Sequence, residues 1–308
     1  MAVLRFLVKR LGYTVFVMIG ISFVVFALMY IAPGSPAALL LGDTATAEQV
    51  RELEIELGLD RPLIVQYYAY MLGVLRGDLG TSLFFRMPNS TLIFQRMPNT
   101  AYLALIAVLI TLLVSLPIGL AAGVRHGSLF DFTILGFVIL GQSISNVVLG
   151  IVFIFFFAVT LGWLPAMGFG YGAHVILPAV TMSSTFAALF TSMLRSGMIE
   201  VLQEDYITAT YAKGIDRRTV IWKYALRNAS LPTLTMVGLQ IGGFLSGSVL
   251  IETIFNWPGI GSLTIQAINQ RDFTLVQSIM LVVSGLFVLV NLLTDIVYTL
   301  VDPRMALN

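Results

Sequence analysis

From Phe132 to Leu194 the chain runs for 63 residues without one Asp, Glu, Lys or Arg. Globular soluble domains carry a charge at about every fourth position, so a stretch of this kind has no place in one. A helix rises about 1.5 Å per residue and crosses a hydrocarbon core of about 30 Å in roughly 20 residues. The run is therefore too long for one crossing and long enough for two. Leu11–Gly42 and Asn228–Ile251 are also uncharged, over 32 and 24 residues. With 58% hydrophobic and 11% charged residues in 308, the chain reads as an all-α membrane protein.

Measured against the crossing length, the sequence predicts six transmembrane helices near 10–31, 99–122, 132–160, 177–195, 233–254 and 275–299. The third and fourth divide at Gly162-Trp163-Leu164-Pro165 and at the Gly168–Gly172 cluster, where turn residues interrupt the apolar run. Trp163 and Tyr171 there suit an interfacial aromatic belt. The 32-residue run from Leu11 far exceeds the roughly 7–15 residues of a cleavable signal's apolar region, so the first span is expected to remain as an anchor.

Cationic residues near span ends stay on the cytoplasmic side. Arg5, Lys9 and Arg10 precede the first span, and Arg125 follows the second. Arg195, Lys213, Arg217, Arg218, Lys223 and Arg227 flank the fourth and fifth, and Arg304 follows the sixth. Both termini and the polar island between spans four and five are thus expected on the cytoplasmic side of the membrane. The expected divisions are 1–31 for the N-terminal end and first span, 32–98 for an ordered extracytoplasmic helical segment, and 99–308 for a five-helix core with a cytoplasmic loop at 196–232. Within 32–98, Thr46-x-x-Gln49 forms a capping box before Val50, Leu53 and Leu57 at helical spacing, with Gly58 as a stop. Asp60-Arg61-Pro62 starts a second helix that runs to about Arg76.

In the island, Ile207, Ala209, Ala212 and Ile215 offer small apolar surface while Lys213, Arg217 and Arg218 keep the segment wet, a pattern suited to docking in a partner's groove. Gly214 permits a tight break between two short helices. A basic loop serving topology alone is the simpler reading. Residues Tyr206–Pro232, through Ala212-Lys213-Gly214 and Leu226-Arg227-Asn228-x-x-x-Pro232, resemble the coupling loop of permease subunits in ABC importers of the dipeptide, oligopeptide and nickel branch. Thr208-Ala209-Thr210 stands where the broader importer pattern has Glu-Ala-Ala, and the Gly214–Pro232 spacing is longer than in sugar-type permeases; both fit that branch. Gly77-Asp78-Leu79-Gly80-Thr81-Ser82, Arg96-Met97-Pro98-Asn99-Thr100 and the stretch Glu252–Leu263 extend the resemblance over nearly the whole chain.

The resemblance implies a type I ABC importer permease fold and a non-catalytic conduit. It implies that Ile207, Thr208, Ala209, Ala212, Lys213, Gly214, Ile215, Arg217 and Arg218 couple the chain to ATPase partners. It further implies a second, similar permease, two ATPase subunits that hold ATP and magnesium, and an extracytoplasmic solute-binding protein. Cargo in this branch includes di- and oligopeptides, nickel chelates, glutathione and haem; peptide is the expected cargo here. Glu252, Phe255, Pro258, Gly259 and Gly261 are expected in an outer gate or a merely structural loop, with Glu252 near the interface.

Polar residues within spans cost free energy unless paired. Gln142, Ser143, Ser145 and Asn146 on span three, and Gln240, Ser246 and Ser248 on span five, therefore face protein or water. Gln142, Asn146, Gln240 and Ser246 are the candidates for the substrate path, against close packing of the small residues Gly238, Gly242, Gly243 and Gly247. Asp295 reads as an interfacial or packing residue.

Other classes fail on inventory. The chain has no phosphate-binding Gly-x-x-x-x-Gly-Lys-Ser/Thr loop, no cysteine and no compact His/carboxylate set. His174 with Ser183 or Ser184 is a weak basis for an intramembrane protease. An ion-coupled secondary carrier would need an acidic residue at mid-membrane, and the chain shows neither that nor a strong internal repeat. Dispersed basic residues and a net charge of +1 argue against nucleic-acid binding.

Overall fold

The computed structural model describes residues 2–31, 41, 45–56, 60–170 and 172–301. The described residues form helices α1 (Ala2–Ile31), α2 (Ala47–Glu56), α3 (Leu63–Leu75), α4 (Asn89–Val124), α5 (Leu129–Ser143) and α6 (Asn146–Phe153). Then come α7 (Ala173–Leu202), α8 (Asp205–Ala212), the single turn α9 (Arg217–Thr219), α10 (Leu226–Ile254), α11 (Ile260–Asn269) and α12 (Phe273–Val301). Stretches of π-helix continue α6 over Ile154–Thr160 and precede α10 over Val220–Ala225. An isolated bridge between Thr81 and Pro88 closes a short hairpin before α4.

The helix signals act where the sequence places them. Thr46 N donates to Gln49 Oε1 at 3.0 Å and Gln49 N to Thr46 Oγ1 at 3.3 Å, the reciprocal bonds of a capping box at the start of α2. Pro62 precedes α3, which ends before Arg76 as expected. Gly58 and Leu57 lie outside the described residues.

Contacts along α7 fix the direction of its neighbours. Gly119 of α4 faces Thr191 and Leu194, and Gly123 faces Arg195 and Met198, so α4 and α7 run parallel. Both glycines are obligatory for this approach, because a Cβ at Gly123 would lie 2.5 Å from Met198 Cβ. Along α5 and α6, Asp131 pairs with Arg195, Gly141 meets Ala188, Asn146 bonds Ser184 and Thr185, and Gly150 meets Thr181. That pair therefore follows α7 in the opposite direction. α10 is antiparallel too: Ala229 lies against Gly197, and Glu252, near the far end, bonds Thr100. α12 begins beside Ser82 and Asn89, at the end where α4 begins. Five consecutive segments thus alternate. They collect loops 125–128 and 203–216 at one end and the connections 77–88, 161–172 and 255–272 at the other.

Three helices, α4, α7 and Phe273–Leu292 of α12, are individually long and apolar enough to cross a membrane. Two bent pairs, α5 with α6 and its π-helical extension, and Met236–Phe244 with Ser248–Ile254, raise the number to five. Within α1 the apolar stretch Gly12–Ala27 is shorter than the others.

Three expectations are corrected. The second long helix begins at Asn89 rather than near 99, because the helix continues through Pro98. The third span is not one rod: α5 and α6 meet at 104°. The cause is local, since Ser143 bonds back to Ile139 O, Ser145 caps α6 through Val147 N, and Asn146 turns to α7. The fourth and fifth long helices pass the expected limits 177–195 and 233–254, with α7 reaching Leu202 and α10 starting at Leu226.

Candidate functional site

At the basic end, α8 and α9 form a knob joined through Gly214. Its φ of +78° is the left-handed conformation that favours glycine and allows the chain to reverse after one short helix. Asp216 opens the next turn, accepting from Thr219 N at 2.9 Å; the Thr219 hydrogen bonds hold its carboxyl below the usual carboxylate range.

The knob is fixed to the body from inside. Ile207, expected to offer apolar surface, is 1% exposed and packs with Leu120, Leu194, Met198, Val220, Ala225 and Ala229. Helical periodicity explains this: Ile207 and Thr210 share the inner face, while Thr208, Ala209, Tyr211 and Ala212 are turned out. Ile215 is half-buried against the same cluster. Asn228 Nδ2 donates to the Tyr206 hydroxyl at 2.7 Å, tying the knob to the start of α10. Lys213, Gly214, Arg217 and Arg218 complete the exposed surface, and Arg218, Thr219, Trp222 and Lys223 line a shallow depression beside it. Ile207 thus seats α8 in a buried cluster shared with the ends of α4, α7 and α10.

Next to this knob the structure brings together a pair that the sequence reading missed. Asp131, 1% exposed, accepts from Arg195 Nη2 at 2.8 Å and Gly127 N at 3.0 Å, with His126 Nδ1 at 3.2 Å. A signal was available. Asp131 and Arg195 are the two charges that bound the 63-residue uncharged run, and a helical out-and-back places its two ends together.

At the opposite end, Glu252 is buried two residues before the end of α10. Its Oε1 accepts from Thr100 Oγ1 at 2.7 Å and its Oε2 from Ser262 N at 3.0 Å. Thr100 Oγ1 in turn accepts from Ile260 N at 2.8 Å. The first N–H groups of α11 have no intrahelical partners, and Gly259 before them has no side chain to cap with. Residues from α10 and α4 therefore cap this helix from outside. Gly259 and Gly261 permit it: a Cβ at Gly259 would sit 2.4 Å from the Glu252 carboxyl, and one at Gly261 2.5 Å from Val249 Cα.

The rest of the loop is equally packed. Trp257 is buried, donates from Nε1 to Asn99 O at 3.0 Å and stacks on Tyr102, while Asn99 Nδ2 donates to Pro258 O at 2.7 Å. Buried Phe255 accepts from Gly168 N at 3.0 Å through its carbonyl, and Phe169 meets Trp257 edge-on. Asp272, also missed from sequence, pins the hairpin by accepting from Ser82 Oγ and from Phe84 N at 3.1 Å.

The four path candidates have different surroundings. Asn146 accepts from Ser184 and Thr185 at 3.2 and 2.8 Å and so fastens the α5–α6 break to α7. Gln142 is exposed, Gln240 is half-buried near Gly243, and the side chain of Ser246 lies outside the described residues. The side chain of Asp295 does also.

Comparison with known proteins agrees in extent and fold. Residues 115–307 match the family described as binding-protein-dependent transport system inner membrane component, and residues 3–104 match its N-terminal companion. The chain is 38% identical to a probable peptide ABC transporter permease of Sinorhizobium fredii, covering 97% of this chain and 98% of that one. It is 36% identical to the dipeptide transport system permease of Escherichia coli K12 (98% of each). It is also 36% identical to the glutathione transport system permease of Salmonella typhimurium (98% and 99%). Among solved structures, a chain of the inward-facing methionine ABC transporter MetNI superposes with a TM-score of 0.59 at 18% identity, over 69% of this chain and 97% of that chain.

Proposed function

This chain belongs to the family of binding-protein-dependent transport system inner membrane components, and we propose that it carries di- or oligopeptides across the membrane. It is a permease subunit of an ABC importer and does not itself hydrolyse ATP. The observation that carries the mechanism is the α8–Gly214–α9 knob, exposed on one side and bolted by Ile207 to three long helices on the other. A partner ATPase whose two nucleotide states contact Ala209, Ala212 and Lys213 differently would shift the balance between two arrangements of α4, α7 and α10; equal contact in both states would shift nothing. ATP and magnesium belong to that partner.

The reading places six crossings in the bilayer, with α1 added to the five alternating segments and both termini inside. The orientation rests on charge: Arg125, Arg195, Lys213, Arg217, Arg218, Lys223 and Arg227 gather at the knob's end. The opposite end then faces the solute-binding protein, and a second permease of similar sequence completes the conduit. Peptide cargo is supported by relatives named for peptide, dipeptide and glutathione transport. Glutathione is the alternative those names favour; nickel chelates and haem are further members of the expected range. An ion-coupled carrier is disfavoured because the three buried carboxylates among the described residues, Asp131, Glu252 and Asp272, are engaged by fixed local partners.

The direct test is to purify the native assembly, identify its subunits and measure which ligand of the binding protein stimulates ATP hydrolysis. Stimulation by small peptides supports the reading. Stimulation by a nickel chelate or haem alone refutes peptide as cargo, and transport that persists without any ATPase refutes the class.

A further inference from the structure

Between the first two long helices lies an apolar helix with no interior of its own. None of the 13 residues of α3, Leu63–Leu75, is buried, yet apart from Gln66 the helix consists of apolar residues, tyrosines and a glycine. Ile64 is 79% exposed and Leu75 78%. In water the exposed part of this apolar surface, Ile64 and Leu75 included, gains nothing from folding, because burial is what stabilises such a helix. Gln66 Nε2 donates to Arg61 O at 2.7 Å, so its amide has an acceptor within the segment.

α3 is held to α1 by its tyrosines. The Tyr67 hydroxyl lies 2.7 Å from Ser22 Oγ and donates to Ile19 O at 3.3 Å. Its ring meets Phe23 and Phe26 edge-on, and Tyr70 stacks on Phe26. The level of this contact is fixed twice. Ser22 lies nine residues inside Ile31, about 13 Å along the helix. In addition, Met18, one turn from Ser22, touches Gly285, twelve residues into α12 and so about 18 Å from the start of that helix. Both registers set Tyr67 about 12–13 Å inward of the outer ends of its neighbours, within one leaflet of a bilayer whose core is about 30 Å thick.

We infer that α3 is not an aqueous extracytoplasmic helix but lies in the outer leaflet, its exposed apolar side chains covered by lipid acyl chains. This rests on the reading of α1 as the first span. At about 20 Å the helix is too short to cross, so it enters and remains on one side. Arg61 and Arg76 at its ends reach the headgroups along their own aliphatic stems. The expected external segment is therefore divided, with the charged helix α2 in water and α3 in lipid.

The native chain has no cysteine, so single cysteines at Ile64, Leu75, Phe16 on α1 and Glu48 on α2 can each carry a nitroxide in the full assembly reconstituted in vesicles. Collision with oxygen, which partitions into acyl chains, is compared with collision with water-soluble chromium oxalate. The expected result is high oxygen and lost chromium access at 64 and 75, matching position 16, with the reverse at 48. Chromium access at 64 and 75 while 16 stays protected overturns the inference alone. Protection from both reagents there also overturns it, since the cover is then protein. Chromium access at 16 removes the premise that α1 spans the membrane, and the inference falls with it.

Discussion

Replacing Glu252 by Leu removes the acceptors that hold the connection 255–272 together, and its cost follows from the bonds. Thr100 Oγ1 and Ser262 N, at 2.7 and 3.0 Å from the two carboxylate oxygens, lose their acceptor in a buried site. A buried donor left unsatisfied costs about 1–3 kcal/mol, so the two together cost ~2–6 kcal/mol, with a loosened α11 start in addition. Glu252→Gln keeps one carbonyl oxygen but turns an amide N–H₂ toward the remaining donor, and should lose roughly half as much. The assay is thermal unfolding of the purified assembly in detergent, followed by size-exclusion profile, with uptake measured in parallel. The midpoint should fall in the order wild type, Gln, Leu. A Leu variant with an unchanged midpoint would refute the argument that Glu252 caps α11.

Gly123→Leu places a side chain where even a Cβ lies 2.5 Å from Met198, and should destabilise the α4–α7 pair by about 1–3 kcal/mol or more, read as lost subunit retention on purification. Asp131→Ala leaves the Arg195 guanidinium without its carboxylate and should lower both the unfolding midpoint and the ATPase–uptake coupling ratio, whereas His126→Ala, which removes a half-exposed side chain, should lower neither appreciably. Single cysteines at Arg86 and Met167 should react with an impermeant reagent from outside intact cells and those at His126 and Arg217 should not; external labelling at 217 reverses the orientation.

Much of this architecture is legible in the residue order. The uncharged runs locate the long helices, Thr46 and Gln49 mark the start of α2, and Gly214 marks the break in the knob, because each signal acts within one or two turns. What escaped depends on distant partners. The α5–α6 bend looks in sequence like a polar patch on a continuous helix, because the local bonds of Ser143 and Ser145 act together with the anchoring of Asn146 on Ser184 and Thr185 of α7, which residue order does not show. Ile207 reads as surface until the ends of α4, α7 and α10 close over it. The burial of Glu252 and its capping role do not show in sequence, because its partners, Thr100 and the start of α11, are supplied by separate elements. Pro98 reads as a boundary, yet α4 passes through it.

The central claim is that the knob passes the work of a separate ATPase to these spans, and Ala212→Glu tests it most directly. Ala212 is exposed and lies two residues before Gly214, so a charge there alters the docking surface without entering the core. The assembly is reconstituted in vesicles with ATPase and binding protein, and peptide uptake is measured beside ATP hydrolysis and ATPase retention. The account predicts a correctly inserted variant that has lost ATP-driven uptake, either with the ATPase detached or with hydrolysis no longer responsive to the loaded binding protein. Normal retention, hydrolysis and uptake in that variant would contradict it.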